Sequence, residues 1–106
     1  MISAMLIVAL VQSAAINSQR DKYISCLDAA AATAKTQKMP ADTFEPHLRQ
    51  TCADAETSFK AALIAFDMKN KVSRKQATAD AQLQADDFVI SSVDQYKKTL
   101  ARGERG

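Results

Sequence analysis

Apolar residues recur at three- and four-residue spacing along most of the chain, a pattern typical of helices that bury one face. The first such stretch opens at Asn17 or Ser18, where Ser18 with Asp21 approximates a capping pair. It runs to about Lys38, so we predict a first helix over this region. Its buried face is expected to contain Tyr23, Ile24, Cys26, Leu27, Ala30, Ala31 and Ala34.

A second helical pattern follows the turn "MPADTFEP" and continues to about Lys69. Asp42 with Glu45 makes a capping-box pattern. Proline is tolerated in the first turn of a helix, so Pro46 requires a start within residues 42–46. The expected buried face alternates steps of four and three residues, as in lengthwise helix packing: Leu48, Cys52, Ala55, Phe59, Ala62 or Leu63, and Phe66.

The third helix is predicted to follow a break at residues 70–73. Asn70 suits a helix exit, Ser73 with Gln76 makes a capping box, and Gly103 marks the end. The expected buried face is Ala81, Ala85, Phe88, Val89, Val93, Tyr96 and Leu100. The sequence therefore predicts an all-α fold, a three-helix antiparallel bundle. If the break fails, helices two and three are continuous.

Composition agrees with one small helical domain. The chain has 106 residues, of which 47% are hydrophobic and 25% charged. Much of the apolar content is alanine, which favours helices but buries little area, so long helices around a thin core are expected. A net charge of +2 produces no large field of one sign, so nucleic-acid binding is not expected.

The N-terminus predicts export. Residues 5–11 form a short apolar run, and "SAA" at residues 13–15 places small residues where a signal peptidase cuts. We therefore expect a signal peptide over residues 1–15, a helical domain over 16–106 and a periplasmic or secreted location. No Lys or Arg precedes the apolar run, which leaves a late start, an uncleaved helix or a cytosolic protein as alternatives. A membrane span needs about 20 apolar residues, and this run ends at Gln12.

The chain has two cysteines, Cys26 and Cys52, and each lies thirteen residues from Met39 in the predicted turn beside Pro40. Residues equidistant from the turn of an antiparallel hairpin face one another, so we predict a disulfide between them. Two buried free thiols are the alternative. A zinc site is not expected, because the single histidine, His47, lies on the same helix as Cys52 and no fourth ligand has a matching spacing.

Two segments, "YISCLDAAAATAK" and "TCADAETSFKAALIAFDMKNKVSRKQATADAQLQ", resemble the small uncharacterised exported helical proteins of Gram-negative bacteria. The resemblance spans residues 23–100 and implies a location and a fold only. A fainter similarity is to lysozyme-inhibitor-like helical periplasmic domains, whose cysteine-bearing helix also alternates acidic and apolar residues before a Phe or Tyr. Those domains contain more cysteines, so no inhibitory residue is carried over to this chain.

The residues offer little catalytic chemistry. His47 is the single candidate base for a nucleophile, and it lies in the proline-bounded start of a helix. Asp86 and Asp87 are adjacent on a helix and point about 100° apart, which argues against a shared proton. Glycine occurs at positions 103 and 106 alone, so a glycine-rich phosphate loop is impossible. We expect no enzyme, no cofactor and no metal.

One cluster of cations lies partly at a helix start, where positive charge is unfavourable. Lys69, Lys71, Arg74 and Lys75 place four cations within seven residues, two of them in a first helical turn, where the helix dipole disfavours positive charge. The functional interpretation is a docking site for a phosphate-bearing lipid headgroup, a cell-envelope polymer or an acidic partner. The alternative is a solvated loop, as for the predicted surface pairs Glu56 with Lys60, Asp67 with Lys71 and Asp94 with Lys98.

Together these features favour a non-enzymatic periplasmic binding or structural module with an unidentified protein or cell-envelope partner. The alternative is an inhibitor or accessory subunit of a cell-envelope enzyme. A hydrolase that co-purifies with the mature protein would distinguish the two.

Overall fold

A computed structural model describes the backbone of residues 2–105 and the side chains of residues 14–103. The described chain forms four α-helices: α1 (Ile2–Thr36), α2 (Ala41–Thr51), α3 (Ala53–Lys69) and α4 (Arg74–Arg105). Helices α2 and α3 follow one another along the bundle, antiparallel to α1 and to α4. The result is three helical rods in a shape of 61 × 26 × 20 Å. The all-α bundle is confirmed, but the helices number four rather than three.

The predicted second helix is divided at Cys52. This residue has φ −106° and ψ 19°, outside the helical region, and separates α2 from α3. The backbone ladder continues across the break, because the Cys52 N–H donates to Leu48 O and Cys52 O accepts from the Glu56 N–H. No Gly or Pro marks the position. The break coincides with the disulfide, which ties Cys52 to α1.

Two predicted helix starts are wrong. Helix α1 begins at Ile2, so Ser18 lies inside a helix and does not cap it. Helix α2 begins at Ala41, with Pro40 as the N-cap and no side-chain capping bond, so the box of Asp42 with Glu45 does not form. Pro46 is the sixth residue of α2, beyond the first turn. Its missing N–H leaves Asp42 O without a helical donor at an exposed position.

Helices α1 and α3 are each followed by a lysine in the position where glycine is usual. Lys38 and Lys71 have φ of 55° and 68°, the left-handed conformation that ends a helix in a Schellman motif. The closing bonds run from the Met39 N–H to Ala34 O and from the Val72 N–H to Asp67 O. Because Lys71 lies outside α3, the predicted pair with Asp67 does not form.

The remaining predicted boundaries hold in part. Asn70 is the C-cap of α3, as expected. The Ser73 hydroxyl accepts the Gln76 N–H at 3.2 Å, which confirms half of the capping box, whereas the Gln76 side chain bonds to Asp80 instead. Helix α4 continues to Arg105, so Gly103 does not end it. The predicted signal peptide falls mostly on residues whose side chains lie outside the described part, and it stays a prediction.

The core consists mainly of the residues that the sequence predicted for the buried faces of the helices. Thirteen residues of the predicted buried faces are buried in the structure. They are Tyr23, Leu27, Ala30 and Ala34 in α1; Leu48, Cys52, Phe59 and Leu63 in α2, α3 and the junction between them; and Ala81, Ala85, Val89, Val93 and Tyr96 in α4. Ile24, Cys26, Ala31 and Phe66 are partly buried at its edge. Sequence reasoning missed Phe44 and Ala77, which are fully buried, and Ile16. Alanine supplies much of α1 and α4, so the core is thin and its aromatic residues provide most of its bulk.

Two aromatic groups fill that core. At mid-height, Phe59 lies between Tyr23 and Phe88, with ring centroids 5.7 and 5.8 Å away. Near the α1–α2 turn, Phe44 stacks on Tyr96 at 3.9 Å. The Tyr96 hydroxyl donates to Met39 O at 2.6 Å, which secures that turn to α4. The first group therefore joins α1, α3 and α4, and the second joins the other end of the bundle.

Candidate functional site

The disulfide lies where the hairpin symmetry places it. Cys26 and Cys52 are bonded, with Cα atoms 5.8 Å apart, across α1 and the α2–α3 junction. The prediction from the Met39 midpoint is confirmed. Cys52 is buried and Cys26 is partly buried. Neither sulfur is available as a nucleophile or a metal ligand, so the pair is a structural clamp.

The predicted basic residues lie together at one end of the bundle. Lys69 is in the last turn of α3, Lys71 is in the turn, and Arg74 and Lys75 open α4; we call these four residues the basic turn. All four side chains are exposed. The first turn of α4 contains no acidic residue that could balance the dipole of the helix.

The cations of the basic turn have no carboxylate partner in the described part of the chain. Its ion pairs involve Arg49 and Lys60, with Glu45, Asp86 and Glu56 as their acids. The pair of Glu56 with Lys60 is thus confirmed at 3.2 Å. Without the four residues of the basic turn, the chain has ten basic and twelve acidic residues. These four residues therefore account for the net positive charge of the chain, and the opposite end of the bundle also has exposed cations, at Lys38, Lys97, Lys98 and Arg102.

A polar network that the sequence did not predict connects the helices on one side. The Tyr23 hydroxyl lies 3.2 Å from both Glu56 Oε1 and the Ala85 carbonyl, and it can donate to either. Lys60 Nζ lies 3.2 Å from Glu56 Oε2 and donates to Gln82 Oε1 at 2.9 Å. These bonds join α1 to α3 and α3 to α4.

The network continues to α2 through an arginine. Gln82 Nε2 and Arg49 Nη1 both donate to Asp86 Oδ1, at 2.9 and 3.0 Å, and Arg49 Nε donates to Glu45 Oε2 at 3.1 Å. The hydrogen bond from Arg49 lowers the pKa of the Asp86 carboxyl. Asp87 is exposed, so the adjacent carboxylates do face apart. The network therefore bonds all four helices to one another and helps to fix their register.

Stability is expected to fall above about pH 10 because of Tyr23. Burial, and then the nearby Glu56 carboxylate, raise the pKa of the Tyr23 phenol above its ordinary value. A group whose pKa is raised by folding stabilises fully below its unfolded pKa and loses that contribution as the pH rises. The loss approaches about 1.4 kcal/mol per pH unit.

Urea unfolding of the wild type and of Tyr23→Phe between pH 8 and pH 11 measures the effect. Lysine deprotonation affects both proteins equally, so the difference between them isolates Tyr23. We expect the wild type to lose stability relative to Tyr23→Phe above about pH 10. Parallel curves would contradict the role assigned to the phenol.

His47 contacts the backbone of α1 and one hydroxyl on its own helix. Its Nε2 is 3.3 Å from the Ala30 carbonyl, which accepts a hydrogen bond, so Nε2 carries the proton. The Thr51 hydroxyl lies 3.5 Å from Nδ1, on the same helix. The histidine therefore joins α2 to α1 and also lies near a hydroxyl of its own helix.

An open groove separates α1 from α4. These helices run parallel, and each packs more extensively on α3 than on the other. Two adjoining cavities of about 260 and 150 Å³ form the groove and share Asp28, Ser92 and Gln95. Ala31 and Lys35 line the larger cavity. Sequence reasoning missed this groove. An alanine or serine at the edge of a buried helix face has the same sequence signature whether or not another helix packs against it.

Within the described residues, no cluster of three or more His, Cys, Asp or Glu side chains could hold a metal ion. No helix in that part of the chain has both the length and the apolarity to cross a bilayer.

The chain was also compared with known proteins. Searches of protein-family models, curated proteins and solved structures find no match to it.

Proposed function

We propose that the chain is an exported, non-enzymatic binding module that docks through the basic turn. The disulfide supports export, because such bonds persist in oxidising compartments such as the periplasm and the cell exterior. The observation that carries the binding proposal is the exposure of four cations without a carboxylate partner in the described part of the chain. Because two of them open α4, their mutual repulsion and the helix dipole both favour an external anion.

The shape of this end favours an extended anionic surface over a small ligand. Small molecules bind in concave sites that enclose most of their area, whereas the basic turn is an exposed loop at the end of an elongated bundle. Lysine and arginine side chains beside an anionic lipid surface each contribute about 1 kcal/mol without any pocket. The partner we propose is therefore a surface of repeated phosphate groups, such as the headgroups of anionic lipids.

Vesicle co-sedimentation of the purified oxidised protein tests this proposal. We expect binding to vesicles that contain phosphatidylglycerol and little binding to vesicles of phosphatidylcholine alone. Changing Lys69, Lys71, Arg74 and Lys75 together to Gln should weaken binding at least about a hundredfold. The same change should leave the thermal midpoint unchanged or slightly higher, because Arg74 and Lys75 oppose the dipole of α4.

A matched control removes four exposed cations from the other end of the bundle: Lys38, Lys97, Lys98 and Arg102, each changed to Gln. It alters the net charge equally and should retain vesicle binding. Full affinity in the basic-turn variant, or equal loss in both variants, would exclude the basic turn as the docking site. Recovery of an envelope hydrolase with the protein, and a change in its activity, would instead favour the inhibitor or accessory-subunit function.

A further inference from the structure

The groove between α1 and α4 contains two charges that the described structure leaves unpaired. Asp28 and Lys35 both line the larger cavity, on the same side of α1 and seven residues apart, which is about 10 Å along the helix. Neither forms an ion pair within the described residues. A carboxylate and an ammonium at this spacing are complementary to the same pair on an antiparallel helix.

We propose that the α1–α4 groove is the interface of a two-fold symmetric homodimer. In this dimer, Asp28 of each copy pairs with Lys35 of the other, so one arrangement forms two equivalent ion pairs. Such self-complementarity is what an interface between identical chains requires, because every contact across the axis occurs twice. The proposal is independent of the docking function of the basic turn.

The residues at the centre of the groove suit this axis. An axis midway between Asp28 and Lys35 passes between Ala31 and Ala32, both of which line the cavity. Their small side chains let two helices approach closely. Ala32 is exposed in the single chain, so contact there would cover a surface that is otherwise open to solvent.

The groove residues of α4 also lie symmetrically about the proposed two-fold axis. Tyr23 bonds to Ala85 and Tyr96 bonds to Ala34, so residues of α4 lie level with residues 62 positions earlier in α1. The axis therefore crosses α4 midway between Ser92 and Gln95, which also line the cavity. Each Gln95 amide then faces the Ser92 hydroxyl of the second copy, a donor and acceptor pair that forms twice.

The other possible two-fold axis is disfavoured by charge. An axis parallel to the helices would place α1 of one copy beside α4 of the other at the same level. Asp28 and Lys35 would then face α4 residues of the groove, such as Ser92, Gln95 and Thr99, which are uncharged, so neither charge would gain a partner. The antiparallel dimer is therefore the arrangement that the groove favours. Because the shared face is two helices wide and partly polar, we expect a weak dimer, with a dissociation constant of about 10–100 μM.

Sedimentation velocity of the purified oxidised protein, over a range of concentrations, tests the proposal. Asp28→Lys and Lys35→Asp should each raise the dissociation constant about tenfold or more, because like charges then meet at both sites. The double exchange of Asp28→Lys with Lys35→Asp should restore dimerisation to within about threefold of the wild type. Ala32→Arg, a change at an exposed helical position, should prevent association.

Two matched controls reverse exposed charges that do not line the groove: Lys22→Asp on α1 and Asp94→Lys on α4. Both should dimerise like the wild type, and circular dichroism should show that every variant keeps its helix content. A wild type that stays monomeric up to about 1 mM overturns the proposal. So does a dimer that the double exchange fails to restore, since its interface must then lie elsewhere.

Discussion

Reduction of the bond between Cys26 and Cys52 is expected to lower the free energy of unfolding by about 3.5 kcal/mol. The two cysteines are 26 positions apart, and a loop of that size restricts the unfolded chain by about this amount in the chain-entropy description. For a domain of this length, the thermal midpoint should fall by more than about 10 °C.

Far-ultraviolet circular dichroism during heating, with and without a reductant, measures the change. The variant with Cys26→Ala and Cys52→Ala is the control: it should match the reduced protein and should not respond to the reductant. Equal midpoints for the oxidised and reduced protein would contradict the clamp. Two alkylated thiols in exported, non-reduced protein would exclude the disulfide.

The periodic pattern predicted the buried faces well because burial at one helix face depends mainly on residue spacing. Leu48, Phe59 and Val89 lie in the core where the three- and four-residue pattern placed them. The cysteine pairing was predictable for a similar reason, since distance from a turn determines which residues of a hairpin meet. Both inferences use geometry that a single helix or hairpin already contains.

The helix boundaries could not be predicted from local residue types. A residue that favours a helix end competes with propagation of the helix through it, and the residue type alone does not decide which prevails. Ser18 is a good capping residue, yet it lies within α1 because the helix propagates through it from Ile2. Lys38 and Lys71 adopt the left-handed conformation without being glycine, so the usual marker of a helix end is missing. The interruption at Cys52 coincides with a tertiary bond, and no local pattern predicts it.

The candidate site was predictable only in part. The basic turn was visible as a run of charge near a helix start, and its residues do lie together. The groove and the polar network depend on which helices meet and how closely, so the sequence analysis assigned no role to Asp28 or Arg49.

Replacement of Phe59 by alanine is expected to be the most damaging single change in the core, costing about 3–5 kcal/mol. Phe59 is fully buried and contacts the rings of Tyr23 and Phe88, which belong to α1 and α4. The Arg20 guanidinium also lies 5.9 Å from its ring centroid, an additional favourable contact. Truncation leaves a cavity where all three helical rods meet, and the neighbouring small alanines cannot fill it.

Urea unfolding followed by circular dichroism measures this cost, and two variants serve as controls. Phe59→Leu keeps most of the volume and should cost less than about half as much as Phe59→Ala. Phe66→Ala removes the same atoms from a partly buried site one turn before the end of α3, where solvent can fill the space, so its cost should also be smaller. If Phe59→Ala and Phe66→Ala destabilise the protein equally, the aromatic group around Phe59 is not the centre of the core. In that case the thin alanine interfaces must contribute more to stability than their buried area implies.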